Sequence, residues 1–137
     1  MNVPKQIVTQ AVSLARKSRD NAYAPYSEYQ VGACVVAYNP TDDDFELYTG
    51  CNVENGNFTN TIHAEQLAIT KAVEDGNKEL IGLAVATADG DDSEPCGLCQ
   101  QHLIEFAPVD TPIYIQTSGE EYIEKPLSEC TPFNLTQ

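Results

Sequence analysis

Residues 80–88 read Leu-Ile-Gly-Leu-Ala-Val-Ala-Thr-Ala, a run with no charged residue and only one hydroxyl. Such a short apolar run, bounded by polar segments, predicts a strand covered on both faces. The flanks supply the cover. Ala64, Leu67, Ala68 and Ala72 repeat at helical spacing over Ile62–Asp75, with Gly76 as a stop. Downstream, Cys99, Leu103 and Phe106 share a helical face after Pro95, and Pro108 closes that segment. A strand between two helices implies a parallel crossover and an α/β sheet.

The remaining elements extend this frame. Ile7, Val8, Ala11, Leu14 and Ala15 form one apolar stripe over residues 4–20, with Pro4 suited to the first helical turn. Gln30–Tyr38 and Phe45–Tyr48 flank a turn of Asn39, Pro40 and three aspartates, which predicts a β-hairpin over 30–50. Thr111–Gln116 alternates as a further strand, and the tail from Gly119 is weakly patterned, consistent with a short helix or strand end. The expected architecture is three layers, α/β/α, around a mixed sheet of about five strands. With 137 residues and no linker, one domain over 1–137 is expected.

Charge restricts the partners. Twenty-one Asp and Glu against seven Lys and Arg give a net charge of −14. Nucleic-acid affinity comes mainly from cations that neutralise phosphates, so DNA and RNA are excluded as expected partners. Neither a leader-like pattern in the first ten residues nor an apolar stretch of membrane-spanning length is present, and a soluble cytoplasmic protein without membrane partners is expected. The acidic excess also suggests adaptation to high salt, where screening relieves self-repulsion. On that reading the melting temperature rises between dilute buffer and molar KCl; no rise would remove the idea.

Five cysteines stand at 34, 51, 96, 99 and 130, and the Cys96-x-x-Cys99 spacing points to metal chemistry rather than a disulfide framework. His63-Ala64-Glu65 opens one predicted helix and Pro95-Cys96-Gly97-Leu98-Cys99 opens the next. H-x-E followed by P-C-x-x-C is the established signature of zinc deaminases. Residues three apart on a helix face one way, and a helix N-terminus favours thiolates, the form that binds Zn²⁺. His63, Cys96 and Cys99 leave the fourth tetrahedral position to water, as in catalytic rather than structural sites. Glu65 is the candidate proton carrier between that water, a ring nitrogen and a leaving amine. Each of these residues alone is commonly structural; together, at two helix starts, they indicate chemistry. His102, Cys34 and Cys130 are assigned to core or surface, and Cys51 has no assigned role.

Over nearly its whole length the sequence resembles short-chain cytidine deaminases. The resemblance is carried by Tyr23-Ala24-Pro25-Tyr26-Ser27, Val31-Gly32-Ala33, Gly50-Cys51-Asn52-Val53-Glu54-Asn55 and the two metal motifs, in the family's order. It implies Zn²⁺ as cofactor and hydrolysis of cytidine and deoxycytidine to uridine and deoxyuridine in pyrimidine salvage. It further implies that Asn52 and Glu54 bind ribose hydroxyls, that backbone around Ala64 meets the base, and that Tyr29 packs on it. A homotetramer is implied too, with Phe133 the candidate ring that reaches a neighbouring site.

Phe58 stands where the family commonly has tyrosine. Many short members carry Cys where this chain has His63, and Arg where it has Gln66 and Gln100. One neutral imidazole and two thiolates balance Zn²⁺, so the arginines that offset a third thiolate become unnecessary. The alternatives are a related zinc deaminase acting on a blasticidin-type or modified nucleoside, and a non-catalytic zinc-stabilised module; Glu65 argues against the latter.

Overall fold

The computed structural model describes residues 2–88 and 94–130. The chain order is α1 (Lys5–Arg19), β1 (Gly32–Asn39), β2 (Asp44–Cys51), α2 (Ala64–Glu74), β3 (Leu80–Ala86), α3 (Gly97–Ile104), β4 (Pro112–Ser118) and β5 (Glu121–Pro126). The strands form one sheet in the order β2-β1-β3-β4-β5. β1 pairs antiparallel with both β2 and β3, β3 pairs parallel with β4 across the α3 crossover, and β4 pairs antiparallel with β5. The mixed sheet and the three layers agree with the sequence reading.

The alternation of a pleated strand divides the core in two. Ala33, Val35 and Ala37 of β1, Leu83 and Val85 of β3, and Ile113 and Ile115 of β4 point to one face, where Ala64, Ala68 and Ile69 of α2 and Leu103 of α3 cover them. Cys34, Val36, Ala84, Ala86 and Tyr114 point to the other, under Val8, Ala11, Val12 and Ala15 of α1. β3 is buried along its whole length, as its composition demands. Arg16, Lys17 and Arg19 lie in the last turn of α1, where positive charge complements the helix dipole. Among the described residues no helix is long and apolar enough to cross a membrane.

Two expectations need correction, and the open alternative after Gly119 resolves to a strand. Pro4 caps α1 instead of entering its first turn, in extended geometry (φ −59°, ψ 145°). α2 begins at Ala64 and not at Ile62, because Ile62 exchanges two backbone hydrogen bonds of 2.9 Å with Val53 and is held in a β-bridge. Residues 121–126 form an edge strand, β5, whose register includes Ile115 opposite Ile123 and Tyr114 opposite Glu124. Phe133 and the acidic positions 89–93 lie outside the described residues.

Candidate active site

Two helix starts meet beside the carboxyl end of β3. His63 is the N-cap of α2, with extended backbone (φ −81°, ψ 149°) imposed by the Ile62–Val53 bridge. Its carbonyl accepts the first helical bond from Leu67 N at 3.0 Å, and its own N–H donates to Gln66 Oε1 at 3.3 Å. Gln66 therefore satisfies one of the free N–H groups at the helix start. Cys96 is the N-cap of α3 (φ −70°, ψ 166°), with its carbonyl accepting from Gln100 N at 2.9 Å. The buried Gln100 side chain donates to Pro95 O at 2.7 Å and fixes the turn that presents Cys96. Both glutamines, read from sequence as lost charges, thus have backbone-holding work at the metal motifs.

The donor atoms of His63, Cys96 and Cys99 lie within 4.8 Å of one another. Cys96 Sγ stands 3.5 Å from Cys99 Sγ and 3.7 Å from His63 Nδ1. A tetrahedral zinc with ordinary bond lengths requires ~3.8 Å between two sulfurs and ~3.6 Å between sulfur and nitrogen. The residues fit the ion in type, number and spacing. Hydrogen bonds from Cys99 and then His63 hold the Cys96 thiol down at about 3, so it is a thiolate at neutral pH. Cys99 is pushed up by its thiolate neighbour and by burial. The pair keeps one proton, which a divalent cation displaces as it binds.

Glu65 is buried at the first turn of α2, and burial raises its carboxyl pKa, with the Cys96 charge adding to the shift. A carboxyl held above its usual range binds a proton more readily than an exposed glutamate, which suits a group that must take a proton and give it back. It lines a cavity of about 280 Å³ together with His63, Ala64, Cys96, Val85 and Thr87. Tyr29, Asn52 and Glu54 line the same cavity, as do Ser27, Thr61 and Glu94. A wider groove of about 500 Å³ lies between the start of α1 and β4–β5, lined by Lys5, Thr111, Tyr114 and Tyr122. It contains none of the three clustered metal donors.

The far wall of the small cavity is the segment 23–31 stitched to 52–54. Tyr23 N donates to Asn52 O at 2.9 Å and Glu54 N to Tyr23 O at 2.8 Å. Asn52, only 8% exposed, accepts from Val31 N at 2.8 Å and donates to Tyr29 O at 2.9 Å. Glu54 Oε1 accepts from Tyr26 N at 3.0 Å and Ser27 N at 3.1 Å, while Ser27 Oγ donates to Oε2. Phe58 is exposed and meets Tyr26 edge-on at 5.9 Å between ring centroids. Cys34 and Cys130 are buried in the two cores, with thiols pushed up to about 12 and about 11 by burial. His102 is half-buried on α3, and Cys51 ends β2 outside the donor cluster.

Residues 5–115 match the family model described as the cytidine and deoxycytidylate deaminase zinc-binding region. The chain is a member of this deaminase family. Two relatives, each named cytidine deaminase, are similar over most of both chains. The protein from Sporosarcina psychrophila is 34% identical over 91% of this chain and 88% of its own length. That from Halalkalibacterium halodurans is 33% identical over 86% of each. The crystal structure of cytidine deaminase from Burkholderia pseudomallei superposes with a TM-score of 0.77 at 28% identity, covering 90% of this chain and 95% of that one.

Within this deaminase, sequence reasoning gave no role to Ser27, Thr61, Thr87 or Glu94, although all four line the cavity. Ser27 belongs to a motif that carried the resemblance, but its bond to a residue 27 positions away has no local signal. Thr87 closes the apolar run and its carbonyl accepts from Arg19 Nη1, a contact between distant segments.

Proposed function

We propose that this deaminase, as a single catalytic domain, hydrolyses cytidine and deoxycytidine to uridine and deoxyuridine with release of ammonia. His63, Cys96 and Cys99 would hold Zn²⁺, which lowers the pKa of water it binds from 15.7 to about 7 and so supplies a nucleophile. Glu65 takes one proton of the attacking water and passes it to ring nitrogen N3, then takes the second from the hydroxyl added at C4 and gives it to the amine, which leaves as ammonia while the C4 carbonyl forms. Backbone around Ala64 and the ring of Tyr29 orient the base. Asn52 and Glu54 bind the sugar, for which an acceptor carboxylate suits a hydroxyl and repels a phosphate. The observation that carries this reading is a three-donor cluster, two of whose members, His63 and Cys96, line one small cavity with the buried Glu65, Asn52 and Glu54. Homo-oligomerisation belongs to the same proposal, a tetramer by resemblance, and is supported by the exposed apolar side chains Tyr26, Phe58 and Leu98.

Loss of ultraviolet absorbance from cytidine and deoxycytidine, followed at low and molar KCl with zinc quantified, tests the assignment. Zinc-loaded, folded protein that leaves both nucleosides untouched would direct the search to another aminated nucleoside. The charge balance at the metal has its own test. His63→Cys alone is expected to lower kcat, and adding Gln66→Arg to restore part of it, because the extra thiolate then has a compensating cation. Equal activity in the single and double variants would contradict the account.

A further inference from the structure

Resting on the reading of Glu54 as the sugar-binding carboxylate, the hydrogen bonds of Ser27 lead one step further. Its hydroxyl donates to Glu54 Oε2 and accepts from Tyr29 N at 3.0 Å. One oxygen atom therefore ties the carboxylate to the backbone of the ring proposed to pack on the base. Glu54 Oε1 is already taken by two backbone N–H groups, from Tyr26 and Ser27. A carboxylate has roughly four acceptor positions, and with three filled by the protein one is left, on the oxygen that Ser27 holds. Asn52 uses one acceptor position of Oδ1 on Val31 N and one N–H of Nδ2 on Tyr29 O, which leaves one of each for the substrate. The hydrogen bond from Ser27 is also the largest influence holding the Glu54 carboxyl below its usual pKa, so it remains an acceptor.

We propose that Ser27 is a positioning residue for substrate selection: its hydroxyl fixes Glu54 so that the one remaining acceptor position receives a sugar hydroxyl. Without it, the two backbone bonds still hold Oε1, but Oε2 is free to rotate toward solvent. The effect falls on binding of the sugar, which is the same in ground and transition states, and so on KM more than on kcat.

Ser27 is exposed, so its variants should keep the fold. The test compares Ser27→Ala and Ser27→Thr on cytidine and on 2′,3′-dideoxycytidine, which lacks both ring hydroxyls of the sugar. Binding of the dideoxy compound is read as KM, or as Ki against cytidine where turnover is slow. For Ser27→Ala the expected result is a KM for cytidine raised about tenfold, kcat within about twofold, and dideoxycytidine binding within about twofold. Ser27→Thr keeps the hydroxyl and recovers most of the loss. Independently of activity, carbon NMR titration should show the Glu54 carboxyl pKa rising in Ser27→Ala and not in Ser27→Thr. An equal loss on both nucleosides, or an unmoved Glu54 titration, overturns the role of Ser27 and leaves the deaminase reading intact. Zinc-loaded parent that acts on neither cytidine nor deoxycytidine overturns the reading and this inference with it.

Discussion

Glu65→Gln is expected to lower kcat for cytidine by about a thousandfold while zinc content stays unchanged. The amide keeps the size and shape of the side chain but can neither accept the proton of water nor deliver one to the leaving amine, and general acid–base groups typically contribute 10²- to 10⁴-fold. The metal donors are His63, Cys96 and Cys99, so the substitution removes no ligand. Burial opposes the ionised form of Glu65 and raises its pKa. A neutral amide escapes that opposition, so the melting temperature should not fall at neutral pH. A variant that kept more than a tenth of the parent kcat would remove Glu65 from the proton pathway. Lost zinc would instead place it among the groups that hold the metal.

The second large effect is structural and reaches the site through packing. Gly50, near the end of β2 and opposite Ala33, lies directly beneath the first turns of α2. A Cβ there would fall 2.2 Å from Ala64 O and 2.7 Å from Ala68 N, both backbone atoms that cannot rotate away. α2 would have to lift, and His63 and Glu65 would move with it. Gly50→Ala is expected to destabilise the chain by about 3 kcal/mol, a fall of about 10 °C in melting temperature, and to weaken zinc binding. Calorimetry and a zinc titration read both consequences. An unchanged melting temperature would mean that the helix does not rest on this glycine.

These two positions differ in how openly the sequence displays them. Glu65 is legible because its neighbours at fixed spacing, His63 and the Cys96–Cys99 pair, define one chemistry between them. The role of Gly50 is a contact between elements and leaves no local mark. The same contrast runs through the fold. β3 is legible because a strand buried on both faces must be apolar throughout. β5 is only half legible, because an edge strand with charged residues at Glu121, Glu124 and Lys125 lacks a clear period and reads equally as a short helix or a strand end. Ile62 fits the helical spacing of the residues after it, yet its backbone pairs with Val53, and long-range pairing overrides local periodicity.

Side-chain roles at the site divide along the same line. Asn52 and Glu54 were marked by resemblance as sugar ligands, and both sit on the cavity wall. What sequence could not display is that each is also the fastening for the segment 23–31, through bonds to Tyr26, Ser27, Tyr29 and Val31. Gln66 and Gln100 were read only as missing positive charge. Their hydrogen bonds to His63 N and Pro95 O show that amides at these positions hold the two turns that carry the metal donors.

Zinc titration of metal-stripped protein, with cytidine turnover followed at each step, tests the central claim most directly. Activity should be absent in the stripped chain, rise in proportion to added zinc, and level off at about one ion per chain, the capacity of a single three-donor site. Full turnover by stripped protein, or none by protein carrying one zinc ion per chain, would contradict the assignment.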